Sequence, residues 1–154
     1  MPHVVIQGPI DLTAYARDFE PIRMLHGSDV LRADTLYLDR SGRTVLIEAL
    51  AVEGRRKLPF YIKISAHEGR RATVRIDPQT HPERSEGVKR IVAAVGADLL
   101  ARTPGSRLER TNLVLPSGHT DPPGADPPTP APEAPGPVNG SGRAGGAREQ
   151  GEER

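Results

Sequence analysis

A single carboxylate stands out among the residues of this 154-residue chain whose types and spacing could support chemistry. Glu48 lies in residues 43–52 (RTVLIEALAV), an otherwise apolar stretch, on the side that alternation shares with Leu46 and Leu50. A carboxylate there is exposed at an edge, paired with an arginine, or raised in pKa by burial. The many arginines of the chain favour a structural ion pair, so we predict that role for Glu48, with proton transfer as the alternative.

Other matches to chemical motifs lack the context that their chemistry needs. Residues 140–145 (GSGRAG) fit G-x-G-x-x-G, but no strand precedes them to deliver the glycines to a helix. His67 and Glu68 begin like a zinc-protease motif, yet Arg71 stands where the second histidine ligand belongs. The chain has no cysteine, which excludes disulfides, thiol catalysis and Cys-ligated metal sites. We therefore predict no metal site and no cofactor.

The amino terminus suggests a different chemistry. Met1, Pro2 and His3 open a short apolar stretch, residues 2–8 (PHVVIQG), that is typical of a strand. This beginning resembles the tautomerase superfamily, in which the initiator Met is removed and an amino-terminal proline acts as general base. The resemblance implies that Pro2 is the catalytic base of a small oligomer built from β-α-β units. A secondary amine in an apolar pocket stays neutral near pH 7, where it can move a proton between carbon and oxygen.

The elements that must position these residues follow from hydrophobic periodicity. After the first strand, Asp11 predicts the cap of a short helix over about residues 12–23. Turn-forming residues then separate short segments in which apolar and polar side chains alternate, or in which both faces are apolar. These segments predict an antiparallel meander of four strands: residues 35–38, 43–52, 58–65 and 72–77.

A second, longer helix follows the meander. Thr80 and Glu83 match a capping box, and apolar residues recur at helical spacing over about residues 82–102: Val88, Ile91, Val92, Val95 and Leu99. Residues 108–115 are typical of a last strand. The order β-(α)-β-β-β-β-α-β predicts an α+β fold with a mostly antiparallel sheet and the long helix packed on one face.

Alternation places several polar side chains on the sheet face away from that helix. If the apolar residues of the meander face the helix, Tyr37, Tyr61, Lys63, Thr73 and Arg75 share the outer face. Two tyrosines beside two cations resemble a platform on which single-stranded nucleic acid stacks its bases and binds its phosphates. An ordinary solvated face, or one covered by a second subunit, is the alternative. Tyr37, Tyr61, Lys63 and Arg75 are the candidate binding residues.

The composition changes sharply after residue 115. Residues 116–154 contain nine of the 16 prolines, eight of the 16 glycines and one large aliphatic residue, Val138. Such a segment buries too little apolar surface to offset the entropy of ordering it. We predict a single globular domain over residues 1–115, with a formal charge of +4, and a disordered Pro/Gly-rich tail over residues 116–154, with a charge of −3.

The function predicted from the sequence is that of a non-enzymatic binding or assembly module. No apolar run is long enough to span a bilayer and no signal peptide is recognisable, so we expect a cytoplasmic protein without a membrane partner. Eighteen arginines against three lysines suggest a GC-rich, bacterial genome. A tautomerase-like enzyme that uses Pro2 and a single-stranded nucleic-acid binder are the alternatives. The partners to consider are therefore a second copy of the chain and nucleic acid.

Overall fold

Seven strands and two helices are present in residues 1–116, the part of the chain that the computed structural model describes. In order they are β1 (His3–Gln7), α1 (Leu12–Asp18), β2 (Ile22–His26), β3 (Asp29–Leu38), β4 (Thr44–Glu53), β5 (Arg56–His67), β6 (Arg71–Ile76), α2 (Glu86–Ala101) and β7 (Arg107–Thr111). The predicted α+β class and the predicted order are confirmed, with β2 as one further strand. The predicted tail lies outside the described residues, apart from Pro116.

All seven strands belong to one sheet, in the order β2-β3-β4-β5-β6-β1-β7, and every neighbouring pair is antiparallel. Strands β2 to β6 form a meander of hairpins. The amino-terminal strand β1 lies between β6 and β7, so two strands that are distant in sequence flank it. This arrangement brings side chains from the two ends of the described chain onto one surface.

Both helices pack on the same face of the sheet, which we call the inner face. The inner side of β4 consists of small and branched apolar residues, and Val45 and Ile47 are fully buried there. The predicted stripe of α2 faces this core, and all five of its residues are fully buried: Val88, Ile91, Val92, Val95 and Leu99. A Cβ added at Gly96 would lie 2.8 Å from Val4 Cγ2, so this glycine allows α2 to approach β1 closely.

The first helix is shorter than the sequence predicts. α1 ends at Asp18, three residues before Pro21, and the chain then enters β2. Proline lacks a backbone N–H and disfavours a helical conformation in the residue before it, so the helix ends before this point. Gly27, with a φ of +60°, supplies the left-handed conformation that turns β2 back into β3.

The long helix begins four residues later than predicted, because the expected capping box of Thr80 and Glu83 does not form. The Ser85 Oγ and the Glu53 carboxylate of β4 each accept a hydrogen bond from one of the first amides of α2, at 3.3 and 2.6 Å. The Thr80 Oγ1 instead accepts a hydrogen bond from the backbone amide of Tyr61, at 3.3 Å. The start of α2 is therefore capped both locally, by Ser85, and by a contact with the sheet, through Glu53.

Candidate functional site

The face of the sheet away from both helices, the outer face, carries a row of side chains from five strands. Successive register pairs join the members of this row, one from each of β3, β4, β5, β6 and β1: Tyr37, Leu46, Lys63, Arg75 and His3. Tyr61 lies two residues before Lys63 on β5 and therefore faces the same side. The structure thus places all four candidate binding residues on the outer face, as alternation predicts.

The two tyrosines converge on Glu48. Tyr37 Oη donates a hydrogen bond to Glu48 Oε1 at 2.9 Å, and Tyr61 Oη donates to the same oxygen at 3.4 Å. The hydrogen bond to this carboxylate raises the pKa of Tyr37, because ionising the phenol would break the bond and place two negative charges together. Half of the Tyr37 surface nevertheless stays exposed.

The predicted ion pair between Glu48 and an arginine is wrong. Glu48 lies opposite Tyr61 and accepts the tyrosine hydroxyls, whereas Arg32, on the neighbouring strand β3, pairs with Asp34 at 3.1 Å. A hollow of about 500 Å³ adjoins Glu48 and Tyr61, and Arg32, Asp34 and Leu50 also line it. The tyrosine end of the outer face therefore combines exposed ring surface with hydrogen-bonding groups.

The opposite part of the outer face holds a pocket of about 440 Å³, which we call the basic pocket. Val5 lies next to Thr73 and is only 2% exposed, so these two residues form its floor. Three arginines and two histidines line the pocket: Arg71, Arg75, Arg110, His3 and His67. The arginines surround Val5, because Arg110 is its partner on β7 and the other two flank its partner on β6.

The charge in this region is largely unneutralised. No carboxylate is among the lining residues of the basic pocket, although Arg71 reaches Glu109 outside it at 2.8 Å. Lys63 and Arg75 lie directly opposite each other on β5 and β6. Within residues 1–116, neither of them takes part in an ion pair, and the same holds for Arg110. Like charges in such opposed positions destabilise a sheet, so an anion bound between them would relieve repulsion.

Pro2 lies immediately before β1 and is buried, whereas Met1 is exposed and lines the basic pocket. Asn112 holds this end of the chain: its Oδ1 accepts from the His3 amide at 2.9 Å, and its Nδ2 donates to the Met1 carbonyl at 3.1 Å. With Met1 attached, the Pro2 nitrogen is part of a peptide bond and has no basic lone pair. The catalytic role that the resemblance implies for Pro2 stays a prediction.

Four lining residues of the basic pocket are absent from the candidate binding residues predicted from the sequence: His3, His67, Arg71 and Arg110. The alternation of residues 72–77 could have extended back to Arg71, which shares the face of Arg75. No local signal places His3 or Arg110 there, because their position depends on β1 pairing with both β6 and β7.

No protein-family model, curated protein or solved structure matches the chain. Within residues 1–116, no helix is long and apolar enough to cross a membrane. The same part of the chain contains no group of three or more His, Asp or Glu side chains arranged to hold a metal ion.

Proposed function

We propose that this protein is a non-enzymatic binding module whose outer face holds single-stranded nucleic acid. The observation that carries the proposal is the pair of unneutralised cations Lys63 and Arg75, which lie directly opposite each other beside the two tyrosines. A bound phosphate would offset their mutual repulsion. The tyrosine rings next to them offer π surfaces on which bases stack.

The tyrosine end of the outer face offers contacts to the bases of a single strand. Because Glu48 Oε1 receives both hydroxyls, the rings of Tyr37 and Tyr61 are restrained before a ligand arrives, which lowers the entropy cost of binding. Glu48 Oε2 stays available to accept a hydrogen bond from the exocyclic amine of a base. The adjoining hollow gives a base room beside the Tyr61 ring.

The cationic end of the outer face offers contacts to the phosphates of the same strand. From Tyr37 to Arg75 the row crosses three strand spacings, a distance of about 14 Å at about 4.8 Å per strand. That distance is the length of about four stacked nucleotides of one strand. A short single strand can therefore contact the tyrosines and the cations at the same time.

The proposal is tested by fluorescence anisotropy with a labelled single-stranded oligonucleotide over a range of salt concentrations. Affinity should fall steeply with salt, because phosphate contacts release counterions. Replacing both Tyr37 and Tyr61 with Ala should cost about 1–3 kcal/mol for each lost base stack. Replacing both with Phe keeps the rings and should preserve most of the affinity.

A matched control comes from the opposite end of the sheet. Arg55 lies in the turn between β4 and β5, away from the basic pocket, so Arg55→Ala should weaken binding less than Lys63→Ala does. Equal effects of the two variants, or unchanged affinity in the double Ala variant, would show that binding does not use this face. A changed elution volume of the double Ala variant would instead identify the face as a subunit interface.

One observation favours a second candidate, the tautomerase-like enzyme. Met1 lines the basic pocket together with three arginines, so removal of Met1 would free the Pro2 amine at the edge of a cationic cavity. The resemblance then implies ketonisation of simple enols such as phenylenolpyruvate. Mass spectrometry should find a chain that begins at Pro2, and Pro2→Ala should remove most of the activity. Retained Met1, or an inactive wild-type protein, would end this candidate.

A further inference from the structure

We propose that the basic pocket binds a phosphomonoester, supplied either by the phosphorylated end of a bound strand or by a free nucleotide. This inference rests on the proposed function, because it places a specific chemical group at one end of the same outer face. The pocket of about 440 Å³ holds many times the roughly 30 Å³ of a liquid water. A phosphate and its attached sugar therefore both have room.

The arrangement of the arginines indicates a terminal phosphate. Arg110 reaches the pocket from β7, whereas Arg71 and Arg75 reach it from β6 on either side of Thr73. Three planar guanidinium groups that surround one volume can donate to all the oxygens of a terminal phosphate, often in bidentate pairs. A phosphodiester within a strand has only two such oxygens free and carries one charge, whereas a monoester carries about −1.5 to −2 at pH 7.

The surroundings strengthen this preference. Buried Val5 makes part of the floor apolar, and charge–charge attraction is stronger beside an apolar, low-dielectric surface than in open water. The ion pair of Arg71 with Glu109 is solvent-exposed, and such pairs contribute little. Arg71 can therefore exchange that partner for a phosphate, while Arg75 and Arg110 have no ion-pair partner within residues 1–116 to give up.

The experiment compares oligonucleotides of one sequence that carry a 5′-phosphate, a 3′-phosphate or hydroxyls at both ends, bound to the full chain. One phosphorylated form should bind at least tenfold more tightly than the hydroxyl form. The decisive readout is this ratio, because it is insensitive to a general loss of positive charge. Arg110→Gln and Arg75→Gln should bring the ratio close to one, whereas Arg55→Gln, with the same charge change, should leave it intact.

The same measurements separate binding of a phosphomonoester in the basic pocket from binding of a strand on the outer face. Equal affinity for all three oligonucleotides, together with no binding of a nucleoside monophosphate, would overturn the phosphomonoester pocket and leave the outer face as a strand-binding surface. Binding of a nucleoside monophosphate that is lost in Arg110→Gln, without binding of any oligonucleotide, would support the pocket and contradict the proposed function. If neither inorganic phosphate nor a nucleoside monophosphate perturbs the His3 and His67 ring resonances, and no end preference appears, the inference is wrong.

Discussion

At the level of single residues, Glu48 determines how the two tyrosines are presented. Its Oε1 binds both hydroxyls, so a residue predicted to pair with an arginine instead restrains two aromatic rings. Alternation within residues 43–52 correctly indicates which face Glu48 occupies. Which side chains it meets there depends on the register of β3 and β5 against β4, and composition carries no information on that register.

Replacing Glu48 with Gln should lower the pKa of Tyr37 towards the ordinary tyrosine value of about 10. The hydrogen bond to the carboxylate is the main cause of the raised pKa, and the neutral amide accepts a weaker one. A pH titration of the Tyr37 ring resonances by NMR measures the change. As a control, Glu68→Gln removes the same charge from the turn between β5 and β6 and should leave the pKa of Tyr37 unaltered. An unchanged pKa of Tyr37 in Glu48→Gln would contradict the hydrogen bond between Tyr37 and Glu48.

Tyr15 gives a second prediction, on stability. Its buried hydroxyl donates to Asp98 Oδ2 at 2.9 Å, and the Arg102 Nε donates to the other oxygen of the same carboxylate at 2.9 Å. Tyr15→Phe should lower the free energy of unfolding at pH 7 by about 1.5–3 kcal/mol, since a buried hydrogen bond to a charged group is lost. Chemical denaturation measures this value. Tyr37→Phe removes a hydroxyl from an exposed side chain and is the control, which should lower the free energy of unfolding less.

The same residue should make the stability of the protein depend on alkaline pH. Burial, and then the neighbouring Asp98 carboxylate, raise the pKa of Tyr15 well above the ordinary value. The unfolded chain therefore loses the phenolic proton near pH 10 while the folded protein keeps it. This contribution to stability is complete below pH 10 and is lost as the pH rises further. Tyr15→Phe should flatten that decline, and an equally steep decline in the variant would contradict the assignment.

At the level of elements, the sequence predicts best where a segment's own side chains decide its state. β5 alternates cleanly because Phe60, Ile62 and Ile64 enter the core, and the stripe of α2 follows the helical period over about three turns. β2 was missed because only Ile22 and Met24 of its five residues face the core, and even they stay half-buried. Its strand state depends on pairing with β3, which is a tertiary interaction.

The packing of α2 on the inner face predicts a severe effect of Val92→Asp. Val92 is fully buried among apolar neighbours, so the variant would place an unpaired charge in the core and should lose cooperative folding. Circular dichroism during thermal denaturation measures this effect. Ala97→Asp introduces the same charge at a half-buried position of the same helix and should be less damaging. A cooperatively folded Val92→Asp protein would mean that this face of α2 does not pack on the sheet.

At the level of the whole molecule, the insertion of β1 between β6 and β7 creates the basic pocket. His3 and Val5 come from the start of the chain, Arg75 from its middle and Arg110 from beyond the long helix. The platform of Tyr37, Tyr61, Lys63 and Arg75 was predictable because β3, β5 and β6 belong to a local meander. The pocket was not, because it requires pairings between residues about 100 positions apart, such as Val5 with Arg110.

The long-range pairing of β1 also concentrates positive charge on one part of the molecule. The formal charge of +4 on residues 1–115 is modest, yet three arginines and Lys63 gather on one part of the outer face. A local concentration of positive charge steers an anionic ligand more strongly than the net charge suggests. The formal charge of residues 1–115 as a whole therefore gives little indication of this local concentration of positive charge.

Nucleic-acid binding by the outer face is tested most directly by an NMR measurement of contacts between a single-stranded oligonucleotide and the tyrosine rings. We expect intermolecular NOEs from base protons to the rings of Tyr37 and Tyr61 on the outer face. The methyl groups of Val45 and Ile62, which are buried on the inner face, should show none. A bound oligonucleotide without NOEs to either tyrosine, or the absence of any binding at low salt, would contradict the proposal that the outer face is a nucleic-acid binding surface.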